Sequence, residues 1–119
     1  MEPALEIIHV TDIAQGHIIV LNAFEKENEK LFKGNTVIYN MGTNKGFSVK
    51  EVIEMYEKTN GIKLNYTYGE RRSGDATMAL PDCSKIQKEL RWSAKIGLEQ
   101  MCKDSYNFVK MHPDGLYNE

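Results

Sequence analysis

The segment "VIYNMGTNKGFSVKEVIE", residues 37–54, passes from a strand pattern through a glycine-containing loop into a helix pattern. Residues 36–40 form a short segment rich in β-branched side chains, which is typical of a strand. Ser48 and Glu51 form a capping box, in which the serine accepts from a backbone amide and the glutamate reaches back. The helix predicted from there ends at Gly61, a residue that favours termination. A strand that leads into a helix is therefore the unit from which we expect the fold to be built.

The same alternation continues on both sides of this segment. The other predicted elements are, in order, a strand at residues 6–10, a helix over 13–27 capped by Thr11 and Asp12, a strand at 64–68, a short helix capped by Asp82 and running through Leu90, and a last helix that begins at Leu98 and ends before Pro113. Alternating strands and helices favour an α/β arrangement. Because three strands make only a small sheet, we expect part of the fold to lie outside this chain.

Length, composition and charge restrict the classes of protein to consider. The 119 residues, 41% of them hydrophobic, suit a single globular domain. The net charge of −2 offers no broad positive field for a nucleic acid, and no apolar run approaches the roughly 20 residues that cross a bilayer. We expect Cys83 and Cys102 to be reduced thiols in a cytoplasmic protein. The three histidines lack metal-ligand spacing, so no metal site is expected.

The segment "GERRSGDATMALPD", residues 69–82, concentrates charge in a predicted loop. The guanidinium of Arg72 suits bidentate contact with phosphate oxygens, and the Asp75 carboxylate suits the paired hydroxyls of a ribose. Gly74 allows a sharp turn, so that both side chains can serve one ligand. The alternative is a surface turn in which Arg72 and Asp75 pair with each other, an interaction worth about 0–1 kcal/mol. The chemistry of these residues leaves both interpretations open.

Two further motifs carry weak signals. The loop at residues 42–46 lies between a strand and a helix, where phosphates bind, but it lacks both the G-x-G-x-x-G and the G-K-[ST] patterns. Tyr106 and Lys110 have Y-x-x-x-K spacing on a helix that otherwise carries an ordinary apolar stripe. We interpret the first as a plain connection and the second as a chance match, so no catalytic or cofactor-binding residue is assigned.

Four segments together resemble the C-terminal part of the UDP-glucose 4-epimerase (UDP-galactose 4-epimerase) family. They are "IIHVTDIAQGHI" at 7–18, "VIYNMGTNKGFSVKEVIE" at 37–54, "ERRSGDATMALPDCSKIQKELRW" at 70–92 and "HPDGLYN" at 112–118. The resemblance implies an α/β fold: the small C-terminal substrate-binding domain of an extended short-chain dehydrogenase/reductase, lacking most of the Rossmann domain. Residues 7–119 would form this domain, including a strand that would join the Rossmann sheet. Residues 1–6 would be a leader foreign to the family.

The family's activity sets expectations for this chain. Its members interconvert UDP-galactose and UDP-glucose as NAD removes a hydride from C4 of the hexose and returns it to the other face of the 4-keto sugar. The NAD fingerprint and the catalytic tyrosine and lysine belong to the N-terminal part of the family. The resemblance therefore implies a chain that binds UDP-sugars in galactose metabolism, and that is inactive alone. Family members form homodimers, a state that this sequence does not determine.

The resemblance also assigns ligand contacts by motif position. Arg72 would bind the UDP diphosphate, Asp75 the ribose hydroxyls and Val49 the uracil side of the nucleotide, while Ala79 would lie beside the sugar. A small residue at this last position is associated with UDP-N-acetylhexosamines. One departure concerns phosphate binding. The family has a diphosphate-binding arginine shortly before the I-H-V motif, where this chain has Leu5 or a neighbour.

Two other classes of function remain as hypotheses. The chain would be a non-catalytic nucleotide-binding or protein-interaction module if the predicted strand at 36–40 is an unpaired edge that recruits a partner. It would belong to a different sugar-nucleotide enzyme, a dehydratase or decarboxylase, if the resemblance reflects the wider superfamily. UDP binding that is lost on Arg72→Ala would support the nucleotide site, whereas no binding combined with concentration-dependent association would favour the interaction module.

Overall fold

Four helices and three short strands make up the residues that the computed structural model describes, 4–26 and 36–116. In chain order they are β1 (Ala4–Glu6), α1 (Val10–Glu25), β2 (Gly46–Ser48), α2 (Val49–Asn60), β3 (Met78–Ala79), α3 (Ser84–Leu90) and α4 (Leu98–Met111). The predicted α/β class is confirmed. The predicted end of the first helix, residue 27, lies outside the described residues.

The sheet has the strand order β2-β1-β3, so that β1 is the central strand. It runs antiparallel to β2 and parallel to β3. Leu5 lies opposite Phe47 on one side and opposite Ala79 on the other. Because directly opposed residues project from the same face of a sheet, these three side chains form one row across it.

The observed strands do not lie where the sequence predicted them. Residues 36–40 and 64–68 belong to no strand, and the predicted strand at 6–10 is replaced by β1 and a short connection. In 36–40, side chains provide hydrogen bonds: Lys85 Nζ donates to the Ile38 carbonyl at 2.9 Å. The segment has strand-like composition, but among the described residues no neighbouring strand forms a ladder with it.

Helix α1 begins at Val10, and its N-cap is His9 rather than the predicted Thr11 and Asp12. His9 Nδ1 accepts a hydrogen bond from the Thr11 amide at 3.0 Å, and its Nε2 lies 2.9 Å from Asp104 Oδ2 in α4. Since Nδ1 is the acceptor, Nε2 carries the proton and donates to the carboxylate. One imidazole thus caps α1 and joins it to α4.

The predicted caps of α2 are confirmed. Ser48 Oγ accepts from the Glu51 amide at 3.1 Å, and Glu51 Oε2 accepts from the Ser48 amide at 2.7 Å. The helix ends at Gly61, whose φ of 61° is in the left-handed region that glycine adopts easily. These local hydrogen bonds fix where α2 starts, directly after β2.

Two groups of contacts hold the helices together. Cys83, Ile86 and Trp92 form the buried cluster against which α1 packs. Gly16 permits this approach, because a Cβ there would lie only 3.1 Å from Trp92 Cε2. Helices α2 and α4 pack together through Asn60, whose Nδ2 donates to the Cys102 carbonyl at 3.2 Å. Within the described ranges, no helix combines the length and the apolar character needed to cross a membrane.

Candidate functional site

The loop before β3 places Arg72 and Asp75 next to each other. The Asp75 amide lies 3.4 Å from the Arg72 carbonyl, and Gly74 has a φ of 89°, so the chain turns sharply. Arg72 Nε donates to Asp75 Oδ2 at 3.3 Å. The Arg72 side chain is 86% exposed and that of Asp75 42% exposed. The turn therefore presents a guanidinium and a carboxylate side by side at the surface.

Arg71 makes different hydrogen bonds from Arg72. Its Nη2 donates to the Asp75 carbonyl at 3.1 Å and to Thr77 Oγ1 at 3.3 Å. The carbonyl of Thr77 in turn accepts from the Ala4 amide at 3.0 Å, at the start of β1. Although Arg71 is exposed, its guanidinium holds the loop in shape. The guanidinium of Arg72, in contrast, donates to the carboxylate of Asp75.

The two predicted apolar contacts lie on opposite sides of β1. Val49 follows Ser48, the register partner of Ala4, and Ala79 follows Met78, the other partner of Ala4. Ser48 and Met78 are therefore separated by two strand spacings, roughly 10 Å. Val49 is 52% exposed and Ala79 is exposed. The structure thus brings two distant parts of the sequence to one small sheet, with β1 between them.

The arrangement suits ligand binding better than bond chemistry. An exposed Arg–Asp pair contributes about 0–1 kcal/mol, so a ligand can separate Arg72 from Asp75 at little cost. A charge-assisted hydrogen bond to a ligand contributes about 1.5–3 kcal/mol. Burial raises the pKa of the Cys83 and Cys102 thiols, so neither is a ready nucleophile at neutral pH.

The loop at residues 42–46 is packed against the protein and does not form a phosphate cradle. Glu6 Oε1 accepts from the Thr43 amide and from Thr43 Oγ1, at 2.5 and 2.6 Å. A Cβ at Gly42 would lie 2.9 Å from Pro81 Cγ, and one at Gly46 would lie 2.9 Å from a Leu80 methyl group. Since the Thr43 amide is bonded and both glycines are in close contact, this loop does not fit a dinucleotide phosphate.

Tyr106 contributes to the packing of α2 against α4. Its ring lies edge-on to that of Tyr56, with the centroids 6.0 Å apart. Lys110 Nζ lies 5.4 Å from the centre of the Tyr106 ring. These contacts give the Y-x-x-x-K spacing a packing role. Among residues 4–26 and 36–116, no group of three His, Cys, Asp or Glu side chains is arranged to hold a metal.

Two cavities lie away from the predicted site. One of about 390 Å³ lies between the end of α1 and the end of α3, beside Ile19, Ala23 and Arg91. Another of about 160 Å³ lies beside Phe47 and the start of α4. Neither is lined by any of the four predicted ligand contacts.

Comparison with known proteins identifies the class. The chain belongs to the family described as GDP-mannose 4,6 dehydratase, whose model matches residues 6–105, within the extended short-chain dehydrogenase/reductase superfamily. Among curated relatives it is similar to UDP-glucose 4-epimerase 1 of Oryza sativa subsp. japonica, with 38% identity over 110 residues. That match covers 92% of this chain and 30% of the relative.

Solved structures give the same result. A UDP-glucose 4-epimerase from Bifidobacterium longum, in complex with NAD⁺ and UDP, superposes with a TM-score of 0.84 at 36% identity. The match covers 97% of this chain and 32% of that protein. The UDP-Glc/GlcNAc 4-epimerase of Campylobacter jejuni gives a TM-score of 0.76 at 32% identity, covering 92% of this chain and 32% of that one. The resemblance to the C-terminal region of the epimerases is confirmed, and the chain spans about a third of their length.

Proposed function

We propose that this chain is the UDP-sugar-binding portion of a UDP-glucose 4-epimerase. The observation that supports it most directly is the loop in which Arg72 and Asp75 lie side by side, exposed and weakly paired. A relative that matches 97% of this chain holds UDP and NAD⁺. The reaction would interconvert UDP-galactose and UDP-glucose. The division into a leader, 1–6, and a substrate domain, 7–119, stays a prediction, although Ala4–Glu6 pairs with both outer strands.

In this proposal, a nucleotide replaces the contact between Arg72 and Asp75. The guanidinium turns to the diphosphate, and the carboxylate accepts from the ribose hydroxyls. Val49 contacts the uracil side, and Ala79 lies beside the sugar. Strong contacts to the UDP portion hold the substrate while the hexose is left few contacts, so that it can present either face. The contribution of this chain is thus positioning.

NAD would be held outside the described residues. When bound, it supplies hydride transfer in the family. The glycine loop of this chain does not fit it, since its glycines pack against Pro81 and Leu80. We therefore propose that the 119 residues alone do not epimerise UDP-galactose. We also propose a cytoplasmic location, because Cys83 and Cys102 are free thiols.

Titration calorimetry with UDP tests the proposal. We expect Arg72→Ala to weaken UDP binding at least tenfold, about 1.4 kcal/mol. Arg72→Lys should recover only part of the loss, since lysine lacks the planar fork. Arg91→Lys, at another exposed arginine, is the matched control and should bind as the wild type does. Equal binding by wild type and Arg72→Ala would contradict the proposal, as would sustained turnover of UDP-galactose by the chain with NAD.

A second candidate is a non-catalytic interaction module. It is favoured by residues 36–40, which have strand-like composition and join no strand ladder among the described residues. This alternative predicts concentration-dependent association without any binding of UDP. Another sugar-nucleotide enzyme of the same family is a third candidate, since the matching family model is described as a dehydratase. In that case UDP binding would be weaker than binding of another nucleoside diphosphate.

A further inference from the structure

The loop that carries Arg72 and Asp75 has no buried side chain to hold it. Every residue from 69 to 77 is exposed. Apolar packing therefore contributes little to its shape, because hydrophobic stabilisation scales with the area removed from water. The backbone hydrogen bond of the turn, from the Asp75 amide to the Arg72 carbonyl, is long at 3.4 Å. The conformation of the loop thus depends on side-chain hydrogen bonds.

Arg71 provides two of these hydrogen bonds from one nitrogen. Its Nη2 donates to the Asp75 carbonyl at 3.1 Å and to Thr77 Oγ1 at 3.3 Å. A guanidinium nitrogen of this kind carries two N–H groups, so both bonds form at the same time. Arg71 precedes the turn at residues 72–75, and Thr77 follows it. The side chain therefore connects the two sides of the turn.

Thr77 connects the same loop to the sheet. Its carbonyl accepts from the Ala4 amide at 3.0 Å, and Ala4 is the register partner of Met78. Thr77 is thus fixed to β1 through its backbone and to Arg71 through its hydroxyl. Through these contacts, Arg71 sets the position of Asp75 relative to the strand that is followed by the proposed sugar contact.

The hydrogen bonds of Arg71 and Arg72 reach different parts of Asp75. Arg72 donates to the carboxylate, and this contact is the one that a nucleotide replaces in the proposed function. Arg71 donates to the Asp75 carbonyl and to Thr77 instead, so its bonds need not break when a ligand binds. A loop that is already held in its bound shape loses less freedom on binding.

We infer that Arg71 is a positioning residue, which keeps the Asp75 carboxylate in place for the ribose hydroxyls when Arg72 turns to the diphosphate. Thr77 is its partner in this role. The inference rests on the proposed function, and it adds two residues that do not contact the nucleotide. It distinguishes the adjacent arginines: one binds the ligand, and the other orders the loop.

Titration calorimetry with UDP and with 2′,3′-dideoxy-UDP, which lacks the ribose hydroxyls, tests the inference. The ratio of the two affinities measures the contact between Asp75 and the ribose. We expect the wild type to prefer UDP at least about tenfold, the effect of a hydrogen bond to a charged group. Arg71→Ala should reduce this preference to about twofold, since Asp75 is no longer held. Arg72→Ala should weaken both ligands and keep the preference.

Thr77 provides a conservative pair of variants. Thr77→Val removes the hydroxyl that accepts from Arg71 and should reduce the preference for UDP, whereas Thr77→Ser keeps the hydroxyl and should keep the preference. Arg91→Ala, at an exposed arginine after α3, is the matched control for the loss of a charge. Circular dichroism checks that every variant is folded.

The inference is overturned if Arg71→Ala keeps the wild-type preference. If this variant also weakens UDP and reduces the salt dependence of binding as Arg72→Ala does, Arg71 contacts the phosphates directly. A wild type without any preference would overturn both the inference and the proposed ribose contact. A preference that depends on Arg71, in a protein whose Arg72→Ala variant binds UDP normally, would support the inference and contradict the proposed diphosphate contact.

Discussion

Asp12, in the first turn of α1, accepts hydrogen bonds at one oxygen from the amides of Lys95 and Ile96. The distances from Oδ2 are 3.1 and 2.9 Å. The side chain is 2% exposed, which makes Asp12 the buried charge of the described residues. These two bonds fix the connection between Trp92 and α4 relative to α1. A carboxylate so deep is retained because backbone amides satisfy it.

Removing this carboxylate should destabilise the protein. We expect Asp12→Ala to lower the free energy of unfolding by about 3 kcal/mol, since it leaves two buried amides without a partner. Asp12→Asn keeps an acceptor oxygen and should cost less. Urea denaturation followed by circular dichroism measures both. Asp114→Ala, at an exposed aspartate, is the control, and an equal loss in all three variants would contradict this role for Asp12.

Stability should fall in acid partly through Asp104. A hydrogen bond from Gln100 and a second from His9 hold the pKa of Asp104 below its ordinary value of 3.8. A carboxyl whose pKa is lower in the folded state stabilises it above the unfolded value, and the effect is lost as pH falls through the folded value. We therefore expect Asp104→Asn to flatten the pH dependence of stability below about pH 4.

Thermal unfolding as a function of pH measures this effect. Asp114→Asn should follow the wild-type profile. If Asp104→Asn keeps the full wild-type slope in acid, the bonds from Gln100 and His9 have no part in the pH dependence.

Restoring a cation on the sheet should strengthen phosphate binding. Leu5 is 40% exposed and lies opposite Ala79 in the sheet. An added charge-assisted hydrogen bond contributes about 1.5–3 kcal/mol, so Leu5→Arg should lower the Kd for UDP by about tenfold. Calorimetry at two salt concentrations should show a steeper salt dependence. Uridine, which has no phosphate, should bind unchanged, and Val109→Arg controls for net charge. A parallel gain for uridine would rule out the phosphate explanation.

The size of residue 79 should set the choice of sugar. We expect Ala79→Tyr to weaken binding of UDP-N-acetylglucosamine several-fold and to leave UDP itself unchanged, because a ring beside the hexose would fill the space of the N-acetyl group. Ala76→Tyr, in the preceding loop, is the comparison. Calorimetry with both ligands measures the ratio of affinities. If that ratio is the same in wild type and Ala79→Tyr, the position does not contact the sugar.

Local sequence signals predicted the local structure well. The capping box of Ser48 and Glu51 and the glycine at 61 act over three or four residues, and both ends of α2 are where they were expected. The predicted cap of α3 lies one residue too early: Cys83 is the N-cap, and it makes no side-chain cap hydrogen bond. Asp82 Oδ1 still accepts from the Ser84 amide at 2.9 Å, and this hydrogen bond lowers the pKa of the Asp82 carboxyl. Arg72 and Asp75 meet because they are three residues apart in one turn.

The sequence did not reveal which residues far apart in the chain contact each other. A strand needs a neighbour, and composition at 36–40 and 64–68 cannot show whether one is present. Glu6 and Thr43, 37 positions apart, gave no pattern, although their hydrogen bonds explain the packed glycine loop. The capping role of His9 was missed because Thr11 and Asp12 are the more usual caps. For the buried position of Asp12, the only signal in the sequence was a polar side chain on the inner side of an apolar helix.

Because β1 separates β2 from β3, three residues near the start of the chain set the spacing between Val49 and Ala79. A version that begins at Ile7 would lose the Ala4–Glu6 ladder to both neighbours, and the two parts of the proposed nucleotide-binding surface would no longer share a scaffold. Purification handles and fusion partners therefore belong at the C-terminus. Removal of the first six residues should abolish UDP affinity even with Arg72 intact.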